Sequence, residues 1–98
     1  MAAVRLTEAE AEAKLGTLSG WSSDGTKLQK QFQFADFVGA MGFMTTVAFA
    51  AEKLNHHPNW SNVYRTVDVT LWTHDVGGLS ALDFELAAAM DQAAGRSD

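Results

Sequence analysis

The spacing of apolar positions divides the chain into alternating helix-like and strand-like stretches. Leu6-Thr7-Glu8-Ala9-Glu10 sets Thr7 at a helix N-cap with Glu10 three residues on, a capping-box pattern that opens a short Ala/Glu-rich helix ending near Leu15-Gly16. Asp24-Gly25 separates two short segments, the second alternating Leu28, Lys30, Phe32 and Phe34 with Gln29, Gln31 and Gln33; this predicts a hairpin with one polar face. From about Asp36 the period becomes helical. Phe37, Met41, Met44, Ala48 and Ala51 trace one stripe, and Phe43, Val47, Ala50 and Leu54 a second. A helix so apolar around its circumference is expected to pack on the sheet and on a second subunit, with Gly39 and Gly42 permitting close approach. Pro58 ends it, because proline disfavours the α conformation at His57.

Beyond a loop carrying Trp60 and Asn62, Val67, Val69, Leu71 and Thr73 alternate with Asp68, Thr70, Trp72 and His74, the pattern of a half-buried strand. Gly77-Gly78 turns the chain, Ser80 and Asp83 form a capping pair, and Leu82, Leu86, Ala89 and Met90 make the inner face of a last helix before a frayed tail at 95–98. The order α-β-β-α-β-β-α predicts an α+β two-layer sandwich, with a four-stranded antiparallel sheet and three helices on one face. One domain over residues 1–98 is expected. The other sheet face is mostly polar, with Trp72 the exception.

Composition narrows the function. The 98 residues are 47% hydrophobic, which excludes a disordered chain. With a formal charge of −5 and seven Lys and Arg, direct nucleic-acid binding is not expected, since that rests on clustered cations. There is no cysteine, so disulfides, thiolate nucleophiles and Cys-based metal sites are excluded. No signal-like run or membrane-length apolar stretch stands out, which makes a cytoplasmic protein with no membrane partner the expectation.

All three histidines, His56, His57 and His74, fall between Glu52 and Asp83. An imidazole both accepts and donates a proton near neutral pH, so such a cluster suits general acid-base catalysis. It also suits a metal with an open fourth position, although the His-Glu-x-x-His spacing is absent and adjacent histidines diverge. A third reading is capping: cationic imidazoles interact favourably with a helix C-terminus. Composition and spacing leave these alternatives open.

The stretch Glu52-x-x-x-His56-His57-Pro58, followed by Trp60, Asn62, Tyr64, Thr73-His74-Asp75, Gly78-Leu79-Ser80 and Asp83, resembles the signature of the pterin-4a-carbinolamine dehydratase family. The likeness extends to Gly20-Trp21, Phe32-x-Phe34-x-Asp36-Phe37 and Phe43-Met44, covering nearly the whole chain. Trp72 departs from the pattern, where a small or polar residue is commoner. The resemblance implies dehydration of a 4a-hydroxytetrahydropterin to the quinonoid dihydropterin, in tetrahydrobiopterin recycling, with no metal and no cofactor. It also implies that His56, His57 and His74 are catalytic: His57 the base at the ring nitrogen, His56 and His74 holding and protonating the leaving hydroxyl. Supporting or substrate-binding positions are Glu52, expected to orient His56, and Pro58, Trp60, Thr73, Asp75 and Asp83, the last expected beside His74. Implied partners are the pterin, further copies in a homodimer or homotetramer, and an aromatic amino-acid hydroxylase in the pathway. The alternative is a protein-interaction role, as a dimerisation cofactor for a transcription factor.

Overall fold

Thr7 and Glu10 close a reciprocal capping box, each binding the other's backbone N–H, and open helix α1 (Glu8–Leu15). The computed structural model describes residues 3–95. After α1 come strands β1 (Ser22–Ser23) and β2 (Leu28–Gln33), helix α2 (Phe37–Leu54), and strands β3 (Asn59–Val63) and β4 (Thr66–Leu71). A single 3-10 turn (His74–Val76) and helix α3 (Ala81–Gly95) complete the order. The expected α+β sandwich is the one observed; of the tail expected at 95–98, Gly95 instead closes α3, and 96–98 lie outside the described residues.

The strands form one antiparallel sheet in the order β1-β2-β4-β3. Its register explains its two faces. Leu28 pairs with Leu71, Lys30 with Val69 and Phe32 with Val67, so their side chains share one face. That face carries the core, which Phe43 and Val47 of α2, Leu86 and Met90 of α3, and Ala11 of α1 complete. Gln29, Gln31 and Gln33 pair with Thr70, Asp68 and Thr66 on the opposite, polar face.

Three local expectations need correction. Trp60 lies in strand β3 rather than in a loop; the apolar positions there are too sparse for alternation to reveal the strand, which β4 holds by pairing. The two stripes on α2 need no correction, since the one through Phe43 and Val47 enters the core while Phe37 and Met41 are exposed on the outer side, where packing on a second subunit is expected. On α3 the buried face is shifted to Asp83, Phe84, Leu86, Ala87 and Met90, and Leu82 and Ala89 are only half-buried. Gly39 does allow a close approach, since an added Cβ would come within 3.3 Å of the Phe34 Cβ, but Gly42 faces open space. Helix α2 also has the length and mean hydropathy, 1.2 over 18 residues, at which a helix can cross a bilayer. Here it packs along α3 and against β4.

Candidate active site

Two backbone features bring the histidines together. Helix α2 ends on Asn55, whose left-handed conformation (φ 50°, ψ 43°) turns the chain sharply, a role Asn fills with little strain. The His56 N–H then closes on the Ala51 carbonyl at 3.0 Å. The second feature is the pairing of β3 with β4, in which Asn59 lies opposite Thr70. Continued one, two and three residues past that pair, the register would set Pro58 beside Leu71, His57 beside Trp72 and His56 beside Thr73. The direction set by that pairing brings residues far apart in sequence to one end of the sheet, where His56 and Thr73 meet the same Asp83 carboxylate.

Past β4, Thr73 and Gly78 form an isolated antiparallel bridge, with the Thr73 N–H donating to the Gly78 carbonyl at 2.8 Å. The bridge ties off the loop that presents His74. Gly77, at φ 64°, supplies the left-handed residue that closes the 3-10 turn. The result is a cleft of about 370 Å³ lined by Asn55, His56, His57, Pro58, Asn59 and residues 72–75.

Within the cleft each imidazole has its own anchor. The buried His56 meets the Asp83 carboxylate, Nε2 to Oδ1, at 2.6 Å. Asp83 is fully buried, and its other oxygen accepts from the Thr73 hydroxyl at 2.8 Å and the Ser80 N–H at 3.0 Å. Thr73 and Ser80 also join hydroxyl to hydroxyl at 2.6 Å. This network links the chain after α2, the chain after β4 and the start of α3. No buried side-chain N or O among the described residues lacks a partner, as a buried charge requires. His57 is exposed, its Nε2 paired with Glu52 Oε2 at 2.5 Å. His74 is exposed as well and stacks on Trp72, with ring centroids 4.4 Å apart and planes 29° apart.

Two expected pairings are therefore exchanged. Glu52 holds His57 rather than His56, because the helix stops at Leu54 and one-turn spacing no longer applies across Asn55. Asp83 holds His56 rather than His74. It also caps α3 by accepting from the Ser80 N–H, as its place three residues after Ser80 predicts. Pro58, Thr73 and Asp75 line the cleft. Trp60 does not: it sits on the helix-facing side of β3, its ring 6.4 Å from that of Phe43. Trp72 is the lining residue that sequence reasoning set aside, and its place directly before Thr73-His74 was the available signal.

Chemically, this is a set of imidazoles, two of them hydrogen-bonded to carboxylates through one nitrogen. Such an arrangement orients a ring and steadies its protonated form while the second nitrogen faces a reactant. Among the described residues no three His, Asp or Glu side chains are grouped to hold a metal ion.

Comparison with known proteins agrees with the likeness in the sequence. A family model described as Pterin 4 alpha carbinolamine dehydratase matches residues 4–93. A Rhizobium johnstonii protein named "Putative pterin-4-alpha-carbinolamine dehydratase" is 60% identical over 94 residues, covering 94% of this chain and 93% of that protein. A Rhizobium etli protein of the same name is 53% identical over 98 residues, covering 98% and 97%. Among solved structures, a transcriptional coactivator/pterin dehydratase from Brucella melitensis superposes with a TM-score of 0.90 at 47% identity, over 94% of this chain and all of that one. A pterin dehydratase-like protein described as a RuBisCO assembly factor in the alpha-carboxysome gives 0.63 at 25% identity, over 76% and 87%.

Proposed function

Since the chain belongs to the pterin 4 alpha carbinolamine dehydratase family, we propose that it dehydrates a 4a-hydroxytetrahydropterin to the quinonoid dihydropterin by histidine acid-base catalysis, in the recycling of tetrahydrobiopterin. The observation that carries this reading is the convergence of His56, His57 and His74 on one cleft. The reaction breaks the C4a–O bond. The oxygen takes a proton and leaves as water, the neighbouring ring nitrogen gives up its proton, and a carbon–nitrogen double bond forms with no net redox change. An acid and a base on opposite sides of that bond are what it needs.

In this reading His57 takes the ring-nitrogen proton, and Glu52, on its Nε2, steadies the imidazolium that forms. His56, held from behind by Asp83, and His74 hold and protonate the departing hydroxyl. Thr73 and Ser80 keep Asp83 in place. Pro58 and Asp75 shape the walls.

The reading includes a single domain over the chain, a cytoplasmic location, and a homodimer or homotetramer assembled in part through the outer side of α2. Val38, Met41 and Phe49 are exposed there. The same apolar surface is the observation that favours the second reading, a protein-interaction role. The deciding experiment is turnover: a carbinolamine generated chemically should disappear faster with catalytic amounts of the protein. Decay at the spontaneous rate, together with a stable transcription-factor complex, would reverse the order of the two readings.

A further inference from the structure

His56 and His57 are each fixed by a carboxylate. The His74 side chain has no hydrogen-bond partner among the described residues, and what it has instead is the face of Trp72. A ring held by its face keeps both nitrogens available. A ring held by one nitrogen keeps a single nitrogen for the reactant. Trp72 is in turn braced. Leu28 lies opposite Leu71 in the sheet, so the register continued one step sets Lys27 beside Trp72, and the half-buried Lys27 places its ammonium 4.5 Å from the indole centroid. The indole is contacted both by the stacked imidazole and by the ammonium, and cations favour a position over such a ring. The contacts of Lys27 with Trp72 and of Trp72 with His74 thus connect the hairpin ahead of β2 to the cleft.

The geometry points to Trp72 as a positioning residue for the dehydration: it holds the His74 imidazole by its face, aimed into the cleft with both nitrogens free for the substrate's hydroxyl. This rests on the dehydratase reading. Trp72 itself lines the cleft, so a substrate platform is the rival role, and the two are separable. A positioning residue changes kcat, because a freed imidazole reaches the reactive orientation only part of the time. A platform changes KM.

The test compares wild type, W72A and W72F in two measurements. The first is stopped-flow turnover of a chemically generated carbinolamine. W72A should lose about two- to twelvefold in kcat, the range of an aromatic pair contact, with KM little changed, and W72F should recover most of the loss. The second is the NMR spectrum of the histidine ring protons, which needs no turnover. The indole ring current should move the His74 signals in wild type, and W72A should return them to ordinary positions while those of His56 stay, showing that the fold is intact. An active wild type whose kcat is unchanged in W72A overturns the proposal and leaves the dehydratase reading standing, as does a change confined to KM. His74 signals that do not differ between wild type and W72A overturn it as well. An inactive wild type removes the dehydratase reading and the proposal with it.

Discussion

Asp83 places one carboxylate oxygen on His56 and the other on Thr73 and Ser80, so its loss would unpair groups on three segments at once. Removing one partner of a buried, hydrogen-bonded set leaves the others desolvated without compensation. D83A is expected to cost about 3 kcal/mol in urea unfolding and to lower activity through His56. The His57 pair behaves differently, because Glu52 is 77% exposed. E52Q should cost under about 1 kcal/mol yet reduce kcat, by less than the loss of His57 itself. Equal stability losses in D83A and E52Q would contradict this ranking. The identity of the histidines was legible in the sequence, but their partners were not. Residue spacing is informative only while a helix lasts, and Asn55 interrupts it between Glu52 and His56.

At the level of elements, α1 and the end of α2 depend on their caps. T7A removes the hydroxyl that accepts from the Glu10 N–H, leaves the half in which the backbone N–H of residue 7 donates to Glu10, and should cost about 1 kcal/mol. Asn55 sits in the left-handed region, where an ordinary L-residue is strained by about 1–2 kcal/mol. N55A should therefore destabilise the protein and disturb His56, whereas N55G should fold nearly as well. Two surface carboxyls add a dependence on pH. The Thr7 backbone N–H and hydroxyl hold the Glu10 carboxyl below its usual range, and the Thr26 backbone N–H, with the Thr26 hydroxyl and Lys27 N–H, does the same for Asp24. A depressed carboxyl stabilises the fold above its unfolded value and loses that contribution as pH falls through its folded one. The urea midpoint should thus decline on acidification below about pH 4, and less steeply in an E10Q/D24N double variant. Element order was readable because capping boxes, the Asp-Gly turn and the period of β2 and β4 are local signals. The bounds of strand β3 were not, since Asn59, Ser61 and Asn62 carry no strand pattern and the segment is held by its register with β4.

For the whole molecule, the outer side of α2 is the feature the fold leaves unpartnered. Phe49 is 76% exposed and Val38 78%, more apolar surface on one helix than a small monomer usually shows to water. F49E should shift the assembly towards monomer in sedimentation while leaving the unfolding midpoint of the isolated chain little changed. A wild type that sediments as a monomer at micromolar concentration would contradict the proposed oligomer. The site draws on parts of the chain far apart in sequence, the end of α2 and the end of β4. Catalysis by three imidazoles on one cleft is the claim on which the rest depends. It is tested most directly by stopped-flow decay of a chemically generated carbinolamine, with wild type and H57A side by side across the imidazole range, about pH 5 to 8. Wild type should accelerate the decay to an extent that varies with pH, and a folded H57A should lose about 10²- to 10⁴-fold. Decay at the spontaneous rate with wild type, or full acceleration by H57A, would contradict it.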